Sequence, residues 1–173
     1  MHTLLKVSAT KKTAIFKEIE QLLIKQGFTF ERKDFKRPWG GFFVINEKHA
    51  PKFVKKYFPG GSFEDLVGDR KVSPKILVVA PEKRLSWQYH HRRSEVWRVV
   101  GGKVGIVRGM TDKQGKTKEL RAGSQVVLQK GERHRLVGLN DFGFVAEIWQ
   151  HTDSDHPSDE NDIVRLQDDF NRK

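Results

Sequence analysis

The chain has 173 residues with 36% hydrophobic and 32% charged residues, 12 Phe and 4 Trp, a length and composition that predict one folded domain and exclude a disordered chain. It has no cysteine, which excludes a disulfide scaffold, a thiolate zinc site and a cysteine nucleophile. No apolar run approaches a membrane span, so a soluble, cytoplasmic protein with no membrane partner is expected. The net charge of +11 is spread as +15 over residues 1–150 and −4 over the last 23; without a Lys/Arg block or a nucleic-acid motif it predicts a small anionic substrate and no nucleic acid.

Residues 10–26 carry Ile15, Ile19, Leu22 and Leu23 at helical spacing, with Gly27 where a helix would stop. They predict an amphipathic helix lying as a flap on the main body. From Phe28 the period changes to two, through Phe30 and Gly41-Phe42-Phe43-Val44-Ile45. Residues 47–68 return to a helical pattern, Phe53, Val54, Tyr57 and Phe58 on one side and Lys52, Lys55 and Lys56 on another; Gly60-Gly61 breaks it, and Ser62 and Asp65 suit the cap of a second turn.

From Pro74 onward the pattern becomes short β runs at 75–80, 84–91, 95–100, 103–109, 117–121, 125–129, 134–139 and 143–150. Gly101-Gly102, Lys113-Gln114-Gly115, Lys130-Gly131-Glu132 and Asn140-Asp141 supply turns. Short strands at this spacing, with no helix among them, predict an all-β fold with added helices, closed as an antiparallel sandwich or barrel, the jelly roll leading. The last segment reads as acidic loop through His156-Pro157-Ser158-Asp159-Glu160, then amphipathic at Ile163, Val164 and Leu166. The expected organisation is an N-terminal helical extension over 1–36 and a barrel over 37–173, with a helical insertion at 47–73.

The stretch from Leu85 to Trp97 carries the chemistry. On a strand, Gln88 and His90 share one face while Trp87, Tyr89 and His91 share the other. A turn at Arg92–Ser94 returns Glu95 on the neighbouring strand, and Lys130-Gly131-Glu132-Arg133-His134 puts another imidazole just after a tight turn. Such O and N ligands from two hairpins suit a divalent cation at a barrel mouth, with a position left for substrate or water.

Gln88-x-His90-x4-Glu95, followed by Gly131-x2-His134, resembles the two cupin motifs, with Gln88 where the first normally has His. Glu82 stands where the first motif often has Gly and Gln129 where the second often has Pro; both are turn-shaping positions. Arg37-Pro38-Trp39-Gly40, the run Leu85–Arg92, Gly131-Glu132-Arg133-His134-Arg135 and the run Asp162–Phe170 resemble the type II mannose-6-phosphate isomerase domain, which is often fused to a mannose-1-phosphate guanylyltransferase. The likeness covers about 37–45 and 75–172. No Gly-rich nucleotide loop precedes it, so a stand-alone relative is expected. The resemblance implies a cupin double-stranded β-helix barrel and a homodimer. It also implies a divalent ion on Gln88, His90, Glu95 and His134, with Zn2+ the leading choice and Mn2+, Fe2+ or Ni2+ the alternatives. The implied activity is aldose–ketose isomerisation of a sugar phosphate, mannose-6-phosphate to fructose-6-phosphate.

One carboxylate, two neutral imidazoles and an amide leave a divalent ion net positive, suited to polarising O1 and O2 of a sugar. A base must then move a proton between C1 and C2. Val145, Glu147 and Trp149 share a strand face, and Glu147, in an apolar neighbourhood that raises its pKa, is the leading candidate. His91 competes, although parity puts it opposite Gln88 and His90. Arg93 has the fork geometry to contact a substrate phosphate, and Arg135 should point away from the ion in a supporting role. Two other classes remain open: a cupin dioxygenase, identified by oxygen consumption, and a non-catalytic sugar-phosphate-binding cupin, identified by binding without turnover.

Overall fold

The computed structural model describes residues 4–68 and 72–172. Helix α1 (Lys12–Lys25) turns Ile15, Phe16, Ile19 and Leu23 inward. It ends where sequence places its stop, Gly27 taking a positive φ of 78° while the N–H groups of Gly27 and Phe28 return to the carbonyls of Ile24 and Leu23, a left-handed cap that glycine adopts without steric cost. After strands β1 (Phe30–Asp34) and β2 (Gly40–Ile45) come a 3-10 turn at Glu47–His49 and helices α2 (Ala50–Tyr57) and α3 (Phe63–Val67). Ser62 and Asp65 form a reciprocal capping box at the start of α3.

Strands β3 (Val72–Val79), β4 (Trp87–Tyr89), β5 (Arg93–Gly101), β6 (Lys103–Gly109), β7 (Lys118–Arg121), β8 (Gln125–Leu128), β9 (Arg133–Gly138), β10 (Gly143–His151) and β11 (Val164–Gln167) complete the fold. All pair antiparallel, in one sheet of order β1-β2-β3-β10-β5-β8 and a facing sheet of order β11-β4-β9-β6-β7. This is a jelly-roll barrel, mostly β with helices added, as expected.

Strand alternation makes the larger sheet two-faced. Phe43, Ile45, Ile76, Val78, Val96, Val100, Ala146 and Ile148 pack under the three helices in one core. Phe42, Val44, Leu77, Val79, Trp97, Val99 and Val145 meet Val104, Ile106 and Leu136 of the smaller sheet in another. Opposite parities on one strand therefore serve two cores.

Several boundaries differ from the sequence reading. The run 84–91 narrows to Trp87–Tyr89, because Arg84 makes only an isolated bridge to Val137 and Gln88 alone pairs with His134 on β9. The expected turn at Arg92–Ser94 is shorter, since Arg93 already pairs with His151. Strand β3 begins before Pro74, whose β2 flank has no partner because that pairing starts at Val44 and Lys75, so the missing N–H costs no ladder bond. The expected insertion 47–73 thus ends with Val72 and Ser73 on a strand, and residues 69–71 of it lie outside the described residues. Phe30–Asp34, within the expected N-terminal extension, is the edge strand of the larger sheet. Glu82 adopts a positive φ of 58°, the conformation a glycine there would take freely. The backbone N–H of Gln129, which a proline would lack, donates to Glu132 (2.9 Å).

Candidate metal centre

One end of the barrel is polar. β4 delivers Gln88 and, just beyond its end, His90; β5 delivers Arg93, Glu95 and Trp97; β9 delivers His134; β10 delivers Glu147 and Trp149; and β3 delivers Lys75. Register brings them side by side, with Gln88 opposite His134, Glu147 opposite both Lys75 and Trp97, and Trp149 opposite Glu95. The inward parity derived for these strands holds; Lys75, Gln88, Arg93, Glu95, Trp97, Glu147 and Trp149 line a cavity of ≈ 300 Å³ together with arginines from the segments around it.

His90, Glu95 and His134 are buried and present ligand atoms within 4.8 Å of one another. Nδ1 of His90 lies 2.8 Å from the carbonyl oxygen of Asp162, and Nδ1 of His134 lies 2.9 Å from that of Glu132. A carbonyl only accepts, so each Nδ1 carries the proton and each Nε2 offers a lone pair to the centre. Nε2 of His90 is 3.1 Å from Glu95 Oε1, and Nε2 of His134 is 3.5 Å from Glu95 Oε2 and buried without a hydrogen-bond partner. Arg93 Nη2 also approaches His90 Nε2 (3.1 Å), and two imidazole nitrogens with a carboxylate between them are a donor set that fits a cation.

Burial, opposed by Glu95, presses the His134 imidazole down to about 4, so it is neutral at neutral pH. Burial alone would raise the Glu95 carboxyl, but His90 and Arg93 beside it more than reverse that and hold it well below the usual carboxylate range. Gln88 lies alongside with its amide nitrogen 3.5 Å from His90 Nε2 while Ser86 donates to its oxygen (2.5 Å). Ligation through that oxygen requires the amide to turn over.

Glu147 sits one step away. The indole N–H of Trp97 is shared between Glu95 Oε2 (3.0 Å) and Glu147 Oε1 (2.9 Å). Burial, then the charge of Glu95, pushes the Glu147 carboxyl up to about 8, against the opposing pull of Lys75 and Arg93. Lys75 was not singled out by sequence. Its Nζ lies 3.2 Å above the Trp149 ring and 3.4 Å from Glu160, and burial lowers its pKa although Glu147 and Glu160 oppose that. The signal available for it was a lysine at an inward parity of a strand otherwise apolar.

Arg93 is tied into the cluster. Its guanidinium stacks 3.5 Å over Trp149 and is spent on Glu95 (2.9 Å), His90 (3.1 Å), Ser158 (2.9 Å) and the Asp159 carbonyl (3.1 Å). Four of its five N–H groups are thus engaged, and Arg93 orders the cluster. The cavity's other arginines, Arg32, Arg37, Arg165 and Arg172, come from segments that sequence read as packing or left unassigned. His91 is exposed against Tyr89 on the far side of its segment, outside the cluster. Arg135 points away from the centre as parity requires and is buried under Gln114 and Gln167. Among the described residues, no helix is long and apolar enough to cross a membrane.

Residues 45–168 match the model of the family described as mannose-6-phosphate isomerase C-terminal. The xanthan biosynthesis protein XanB of Xanthomonas campestris pv. campestris (strain B100) is 30% identical over 118 residues, 68% of this chain and 24% of that protein. The mannose-1-phosphate guanylyltransferase ManC of Salmonella typhimurium is 27% identical over 148 residues, 75% of this chain and 29% of that protein. The chain thus spans less than a third of the length of these curated relatives. Among solved structures, KdgF from Halomonas sp. superposes with a TM-score of 0.50 at 14% identity, covering 72% of this chain and 92% of that one, a likeness of fold alone. With its barrel, its paired motifs and a match over most of its length, the chain belongs to the mannose-6-phosphate isomerase C-terminal family.

Proposed function

We propose that the protein is a metal-dependent aldose–ketose isomerase of sugar phosphates, converting mannose-6-phosphate to fructose-6-phosphate. The observation that carries this reading is a buried carboxyl, Glu147, poised near neutrality in the same cavity as Glu95, the carboxylate of the His90, Glu95 and His134 cluster. His90, Glu95 and His134 would hold the ion, joined by Gln88 once its amide turns, and Zn2+ suits this N and O donor set. When bound, such an ion would supply positive charge against the negative charge that develops on the sugar's carbonyl and hydroxyl oxygens.

Glu147 takes the proton from C2 and returns it to C1 while the O2 hydroxyl proton passes to O1, and its raised pKa lets one group serve as base and then acid near neutral pH. The Trp97 N–H fixes the carboxylate that moves the proton relative to the one that would hold the ion. Lys75 faces Glu147 across the strand pair and balances its charge when it ionises. Arg32, Arg37, Arg165 and Arg172 give the cavity forked donors for a phosphate. Glu160, which pairs with Arg32 (2.7 Å) and Lys75 (3.4 Å), occupies two of the cations an entering phosphate would engage.

The test is turnover in deuterated water with mannose-6-phosphate and related hexose and heptose phosphates. Deuterium entering at C1 of the ketose or C2 of the aldose supports the reading. Bound sugar phosphate with no label and no product overturns it in favour of a binding domain.

A further inference from the structure

The two imidazoles of the cluster are held differently. His134 is fixed by its own turn, through a carbonyl two residues away. His90 depends on a segment 72 residues distant, through the Asp162 carbonyl. That segment is fastened to the ligand-bearing turn at several points. The Asp162 carboxylate accepts the backbone N–H groups of His91 and Arg92, each at 3.0 Å, and the Ser158 hydroxyl at 2.6 Å. Ser158 in turn accepts Arg93 Nη1 at 2.9 Å, and Arg93 Nε donates to Glu95 Oε1 at 2.9 Å. Ser158, Asp162, His90, Arg93 and Glu95 are all buried. The same segment puts Glu160 and Ile163 into the cavity wall.

We propose that Ser158 and Asp162 are positioning residues. The segment they anchor is a latch that sets the ring of His90 and the guanidinium of Arg93, so that the cluster takes a divalent ion tightly only when the latch is docked. The latch rests on the metal-dependent reading above for its ligand set. Groups that orient a ligand imidazole and its neighbouring carboxylate by hydrogen bonds govern how well the first ligands converge. Linkage then requires the reverse effect, that an ion bound at His90 holds the latch closed.

Cobalt titration of the chelator-treated full chain tests this through the visible absorbance of the bound ion, with no reliance on turnover. Asp162→Ala should weaken cobalt binding roughly 10- to 100-fold. Ser158→Ala should weaken it several-fold and Asp162→Asn, which keeps one acceptor, should fall between wild type and Asp162→Ala. Asp155→Ala, on an exposed part of the same segment, should bind as wild type does. In wild type, cobalt should slow hydrogen exchange at the His91 and Arg92 amides. Equal affinity in wild type, Ser158→Ala and Asp162→Ala, with only the melting temperature lowered, overturns the latch and leaves the isomerase reading standing. A wild-type chain that binds no cobalt overturns the metal centre itself and the latch with it. Should Asp162→Ala fail to fold, Ser158→Ala and the exchange measurement decide the matter.

Discussion

Glu95 and Glu147 share one indole hydrogen, and that arrangement sets their difference in character. Glu95 lies between Arg93 and two imidazoles and stays ionised. Glu147 meets burial and the charge of Glu95, and its carboxyl rises to about 8. Replacing Glu147 with Gln keeps the shape and removes the basicity, so turnover should fall roughly 10²-fold or more while metal content and substrate binding persist. A folded pKa of about 8, above the ordinary carboxylate value of roughly 4.3, gives a definite sign. The protonated group favours the fold, a contribution complete below the unfolded pKa and lost as pH rises through about 8. The metal-free wild type should therefore lose more thermal stability between pH 5 and pH 9, both on the order of those limits, than Glu147→Gln does. Lys75 is the largest influence pulling the Glu147 pKa down. Lys75→Met should accordingly raise it further and move the rising limb of the pH–activity profile to higher pH; a profile that stays put would remove Lys75 from the site.

At the scale of elements, the larger sheet separates stability from chemistry. Its helix-covered face holds Ile19 of α1, fully buried, and its barrel face holds the candidate site. Ile19→Ala should cost about 2–5 kcal/mol of stability and leave metal stoichiometry unchanged, measured by denaturant titration and elemental analysis. Alanine at His90 or His134 should do the reverse, losing metal with little loss of fold. The two faces were legible because period and parity are local: Phe42 and Phe43 diverge into different cores as alternation demands, and Gly27 and the Ser62/Asp65 box mark helix ends. Parity also brought His90, Glu95, Glu147 and His134 to one side of their strands. Strand β11 escaped because a run of four edge residues, Val164–Gln167, is too short for its alternation to be told from a single helical turn, and its strand character comes from pairing with β4. The role of Arg93 escaped for a related reason. Its partners Ser158 and Asp159 are more than 60 residues away, and no local pattern announces a contact of that range. Gly138 reads as an ordinary strand residue, yet a Cβ there would stand 1.9 Å from the Ala80 carbonyl oxygen, a close approach set by folding of distant segments.

For the molecule as a whole, the question is whether the ion belongs to the fold or to the chemistry. Two apolar cores, one between the sheets and one beneath the helices, bury enough surface for a domain of this size to fold without it. The positive charge is similarly divided. Part is neutralised at the surface in pairs such as Arg84 with Asp169 and Arg108 with Glu132, and part faces the cavity, so duplex DNA should bind weakly, without sequence preference, and release steeply with moderate salt. Removing the ion should therefore leave far-UV circular dichroism nearly unchanged while isomerase activity disappears, and adding back metal should restore it. An ion that binds the native state alone should still stabilise it: at a free concentration about 100 times its dissociation constant the gain is about 2.7 kcal/mol, or a rise of roughly 5–11 °C in melting temperature for a chain of this length. Chelator that collapses the spectrum would make the cluster structural, in the manner of a zinc finger. A chelated protein that keeps both its spectrum and its full activity would remove the ion from the reaction and leave Glu147 and the cavity's cations to account for turnover alone.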